Sequence, residues 1–66
     1  MKLRMIGTTS GGGNCPTLYE ADNGDIVVQG QRLTDPEARE QLSDVLSGED
    51  CVVVPRALLT RYAPKE

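Results

Sequence analysis

The chain has 66 residues, a net charge of −3, two cysteines and no His, Phe or Trp, which confines it to one small domain spanning 1–66. The missing histidine removes the usual general base and metal ligand, and Cys15 and Cys51 offer no CxxC knuckle, so neither an enzyme nor a cofactor or metal site is expected. No apolar run nears the roughly 20 residues of a membrane span, and MKLRMIGTTSGG has only a broken apolar segment, so a cytoplasmic protein with reduced, half-buried thiols is expected.

Seven Leu, six Val, two Ile and two Met must supply the core. A domain this short with small aliphatic filling often needs a partner, and a homo-oligomer or hetero-complex is expected. At the start, Lys2–Ile6 has Leu3 and Met5 on one face and reads as a weak or edge strand. Next comes TTSGGGNCP, Thr8–Pro16. A phosphate cradle would need GxxxxGK[ST] opening a helix, but the lysine is missing and a strand follows. The stretch therefore reads as a connector, with Cys15 packed beside a neighbouring strand, the one holding Cys51 being a candidate.

Cys15–Ala21 reads as a strand whose start is limited by Pro16, and Asp22-Asn23-Gly24-Asp25 as a hairpin turn, since Asn and Gly both tolerate positive φ. Asp25–Leu33 is the partner strand, with Gly30 marking a bulge or a close backbone approach. Thr34 and Glu37 have capping-box spacing around Pro36. Ala38, Leu42, Val45 and Leu46 then form an apolar stripe, predicting an amphipathic helix over Pro36–Ser47 that stops at Gly48. Cys51–Val54 reads as a central, buried strand, and Pro55–Tyr62 as a short helix docking Leu58, Leu59 and Tyr62 on the sheet. The order β-β-β-α-β-α gives a small α+β domain with a mostly antiparallel sheet of three to four strands.

Charge is unevenly spread. Residues 20–50 hold nine of the ten acids and only Arg32 and Arg39, a balance of −7. The two ends hold Lys2, Arg4, Arg56, Arg61 and Lys65 against Glu66, a balance of +4. If the ends meet in the fold, the molecule is bipolar.

The segments SGGGNCPTLYEADNGDIVVQGQRLTDPE and CVVVPRALLTRYA resemble a large group of short actinobacterial proteins of unknown function that are encoded beside WhiJ-type helix-turn-helix regulators. Ser10–Cys15, Ile26–Val28, Asp35-Pro36 and Val52–Ala63 occupy the places of that family's motifs. Its Trp near the start has no counterpart here, and the helix Pro36–Ser47 would be an insertion. The resemblance implies a non-catalytic regulatory module, an accessory or antitoxin-like protein that binds a helix-turn-helix regulator. The expected contact residues are Tyr19, Ile26, Val28, Arg32, Arg56, Arg61 and Tyr62, because exposed Tyr and Arg are common anchors. The alternatives are a small DNA-binding protein using the basic terminal cluster, disfavoured by the net charge, and an enzyme with an unfamiliar site lined by carboxylates or Cys51.

Overall fold

The computed structural model describes residues 1–9 and 15–65; the expectations for Ser10–Asn14 lie outside the described residues. The fold is α+β. Its elements in chain order are β1 (Leu3–Thr8), β2 (Thr17–Ala21), β3 (Ile26–Gln29), β4 (Gln31–Arg32), α1 (Pro36–Glu40), β5 (Val52–Val53) and α2 (Arg56–Tyr62). β1, β2 and β3 form an antiparallel sheet in that order, and β4 pairs with β5 in a separate antiparallel ribbon.

The hairpin between β2 and β3 forms at the Asn-Gly site, with different turn chemistry from the expected one. Ala21 donates its N–H to Asp25 O at 2.8 Å and accepts from Gly24 N–H at 2.9 Å. The loop is therefore the three residues Asp22–Gly24, and only Gly24, at φ 93°, lies in the left-handed region. Asn23 contributes its side chain instead: Oδ1 accepts the Asp25 N–H at 3.0 Å.

β1 contains the feature that orders the rest. Met5 pairs with Tyr19, yet Gly7 pairs with Leu18, leaving Ile6 as an extra residue in a bulge. Leu3 and Met5 thus share a face with Tyr19 and Ala21, while the slip turns Gly7 to the opposite face, beside Leu18. There the missing side chain makes a seat. A methyl built on Gly7 would overlap Cγ, Cδ1 and Cδ2 of Tyr62. Leu58 lies one turn before Tyr62 on the same side of α2, and it is fully buried, as is Leu18. Two leucines and one aromatic ring on a glycine hold the helix to the sheet.

Three expectations are corrected. The helix over Pro36–Ser47 stops at Glu40, and its cap is Asp35, whose Oδ2 accepts the Ala38 N–H at 3.1 Å, rather than Thr34. Asp44 takes a φ of 56°, which no right-handed helix accommodates, and Val45 and Leu46 are 44% and 66% exposed. The apolar stripe has no sheet surface under it, and a helix this short is not stable without packing. Cys51–Val54 is not a central buried strand. Only Val52 and Val53 pair, with β4, and both are exposed. Cys15 precedes β2 and is exposed rather than packed beside a strand, and both thiols are free. At Gly30 the expected close approach is present: an added Cβ would lie 2.6 Å from Val54 Cγ1 and 3.0 Å from Val53 O.

Two stability predictions follow from this packing. Gly7→Ala costs about 1–3 kcal/mol by overpacking, and the penalty shrinks in a Tyr62→Ala background; a double-mutant cycle in urea reads the coupling. Leu58→Ala costs about 2–5 kcal/mol, whereas Leu46→Ala stays within about 0.5 kcal/mol. Equal losses at the two leucines would mean that 36–47 is a packed helix after all.

Candidate functional site

The seven anticipated contact residues do not form one surface. Tyr19 shares its face with Met5 and Val27 and donates its hydroxyl to Gln29 Oε1 at 2.8 Å. Ile26 and Val28 pair with Glu20 and Leu18, so they lie on the helix-bearing face, at 40% and 37% exposure. Tyr62 is half-buried on Gly7 and works inside the fold. Arg56 and Arg61 are exposed on α2 and make no ion pair among the described residues. Because α2 packs on β1, the basic ends of the chain do meet.

The face opposite α2 carries Leu3 and Met5 on β1, Tyr19 on β2 and Val27 on β3. Met5, Tyr19 and Val27 form one row across the three strands, and Leu3 sits beside it, opposite Ala21. Leu3 is 48% and Met5 57% exposed, and neither helix docks over them. Sequence reasoning placed Leu3 and Met5 on one face but did not assign that face a use. The missing signal was the bulge, which sends α2 to the other side.

Arg32, the remaining anticipated contact, belongs to a charge cluster around Asp50. Asp50 Oδ2 lies 3.2 Å from Arg32 Nε, and Oδ1 lies 3.2 Å from Arg39 Nη1. The same Oδ1 accepts the Cys51 N–H at 2.8 Å, while Arg39 also donates to Leu33 O at 2.7 Å. One carboxylate therefore ties β4, α1 and the start of β5 together. The Cys51 N–H is the main cause that holds the Asp50 carboxyl below its ordinary 3.8; the Arg39 hydrogen bond comes next, desolvation opposes it, and the charges of Arg39 and Arg32 add lesser lowering. Another exposed pair, Arg4 with Glu20, bridges β1 and β2.

The described residues line open concavities at two places relevant to a site. One, of about 410 Å³, lies at the hairpin end of the sheet between Lys2, Arg4, Glu20 and Asp22. The other, of about 510 Å³, lies in the 42–51 segment and includes Asp44, Glu49, Asp50 and Cys51, the residue types an enzyme reading requires. Two of its three carboxylates are already engaged: Glu49 Oε1 accepts the Leu46 N–H at 3.0 Å, and Asp50 is held ionised between two guanidinium groups. A carboxylate whose pKa is lowered is a weak base toward a thiol. Among the described residues no group of three His, Cys, Asp or Glu could hold a metal ion, and no helix is long and apolar enough to cross a membrane.

Comparison with known proteins returned no matching family model, no similar curated protein and no similar solved structure.

The depressed Asp50 pKa sets the sign of a pH effect. The ionised carboxylate stabilises the β4–β5 ribbon above 3.8, and this contribution is lost as pH falls through the lower folded value. The Cys51 amide resonance is expected to titrate with a midpoint below 3.8, and Asp50→Asn abolishes that titration. A midpoint at or above 3.8 would contradict the cluster.

Proposed function

We propose that this chain is a non-catalytic interaction module that works in regulation by binding another protein, and that its partner is a helix-turn-helix transcription regulator. The observation that carries the first half is the uncovered apolar face of the sheet. Leu3, Met5, Tyr19 and Val27 lie together on three paired strands, on the side that α2 leaves open. Exposed Leu3 and Met5 beside the half-buried aromatic ring of Tyr19 have the composition of an interface centre. The class of partner rests on the sequence resemblance through Ile26–Val28, Asp35-Pro36 and Val52–Ala63.

Direct DNA binding is the competing reading, favoured by Arg56 and Arg61, exposed on one helix and without an ion pair among the described residues. Against it stands the net charge of −3, since phosphate neutralisation needs a larger cationic surface.

Affinity capture with the tagged chain from a native lysate separates the two. The expected result is co-purification of a helix-turn-helix regulator, identified by mass spectrometry, with Leu3→Lys plus Met5→Lys lowering capture by more than about tenfold while circular dichroism is unchanged. The isolated protein is expected to ignore duplex DNA. Salt-sensitive binding to duplex by the purified chain, lost in Arg56→Ala or Arg61→Ala, would overturn the proposal in favour of direct recognition.

A further inference from the structure

The sheet has two edges, and they differ in kind. The β1 edge is interrupted by the bulge at Ile6 and bears Arg4, devices that blunt strand addition. The β3 edge has neither. Ala21 donates its N–H to Asp25 O, so its backbone faces β3, and this facing alternates along an antiparallel ladder, making Tyr19–Val27 and Thr17–Gln29 the bonded pairs that follow. Ile26 and Val28 fall between them. Their N–H and C=O groups therefore point away from β2, along an uncharged stretch, Ile26-Val27-Val28-Gln29-Gly30, that contains no proline.

The surface area points to a missing neighbour. The chain exposes 5323 Å², against about 4,100 Å² for a compact monomer of 7.1 kDa. Its Cα radius of gyration is 13.1 Å, where about 11 Å is typical for this length. The surplus of about 1,200 Å² exceeds the about 800 Å² that each partner contributes to a standard interface. One homodimer contact fits within it and leaves area for a second partner.

We propose that the chain is a two-fold dimer in which β3 pairs antiparallel with β3 of a second copy, joining two three-stranded sheets into one. The outward groups of Ile26, Val28 and Gly30 fix the parity, and the register that uses all three places Val28 opposite Val28 on the two-fold axis. Ile26 then faces Gly30 of the other copy, and Val27 faces Gln29. No charge meets a like charge, because the paired stretch carries none. The two α2 helices fall on the same side of the joined sheet. The Leu3, Met5 and Tyr19 surfaces fall on the other side and stay open, so this dimer does not rest on the regulator-binding proposal.

Sedimentation equilibrium and concentration-dependent amide exchange test it. The wild-type protein is expected at twice 7.1 kDa in the micromolar range. Val28→Pro, which removes an outward N–H and no intrachain bond, is expected at 7.1 kDa with its circular dichroism retained. Leu3→Lys plus Met5→Lys stays dimeric even where regulator capture is lost, which separates the two proposals. Should Val28→Pro fail to fold, the wild-type amides decide: Ile26 and Val28 are protected at high protein concentration and lose that protection on dilution, while Tyr19 and Val27 keep theirs. A monomeric wild-type protein at hundreds of micromolar, a dimeric folded Val28→Pro, or unprotected Ile26 and Val28 amides in a dimer would each overturn the proposal.

Discussion

Everything on the helix-bearing side of this molecule depends on Tyr62 lying across Gly7. Leu18 and Leu58 are its only large side chains wholly removed from solvent among the described residues, one on the sheet face that bears α2 and the other on α2 itself. The seat needs two conditions at once. Residue 7 must lack a Cβ, and the strand must slip by one residue so that position 7 faces the helix rather than the side of Leu3 and Met5. The Ile6 bulge supplies the slip. Without it, the period-two alternation of β1 would send residue 7 to the open face, and α2 would lose its aromatic anchor.

The same choice of side leaves Leu3 and Met5 exposed, with Tyr19 and Val27 half-buried beside them. A chain with one short docking helix and two faces to bury can cover only one of them. The segment from β4 to β5, residues 31–53, adds little apolar packing to the sheet and is organised differently, by the charge cluster in which Asp50 receives Arg32, Arg39 and the Cys51 N–H. That cluster is exposed, so it fixes geometry more than it adds stability. An interaction module is consistent with this economy: part of the apolar surface is held by the fold, and part is left for a partner.

The legible parts of the sequence were those written in local chemistry. Asn23-Gly24 marked the hairpin, Pro36 the start of α1, Gly30 a close approach, and Leu58 with Tyr62 the docking side of α2, although Leu59, expected to dock with them, is 47% exposed. What failed needed knowledge of the neighbour. The stripe Ala38, Leu42, Val45 and Leu46 shows which side of a helix would be apolar, but not whether any surface lies beneath it. The run Cys51–Val54 looks the same whether buried at the centre of a sheet or pairing over two residues with β4. The mark of the bulge at Ile6 is Gly7, which falls just beyond the expected strand Lys2–Ile6 and was read as loop, and with it went the side on which the candidate surface lies. Tyr62 was taken as a contact residue because exposed tyrosines often are; its partner turned out to be a glycine within the chain.

The most direct test of this account is the proton chemical shift of the Gly7 α-protons. A glycine beneath an aromatic ring feels its ring current, so both are expected well upfield of the ordinary glycine position and to return toward it in Tyr62→Leu, with the β1–β2 cross-strand contacts intact. Gly7 α-protons at the ordinary position in the folded wild-type protein would contradict the seat, and with it the assignment of which sheet face is left open.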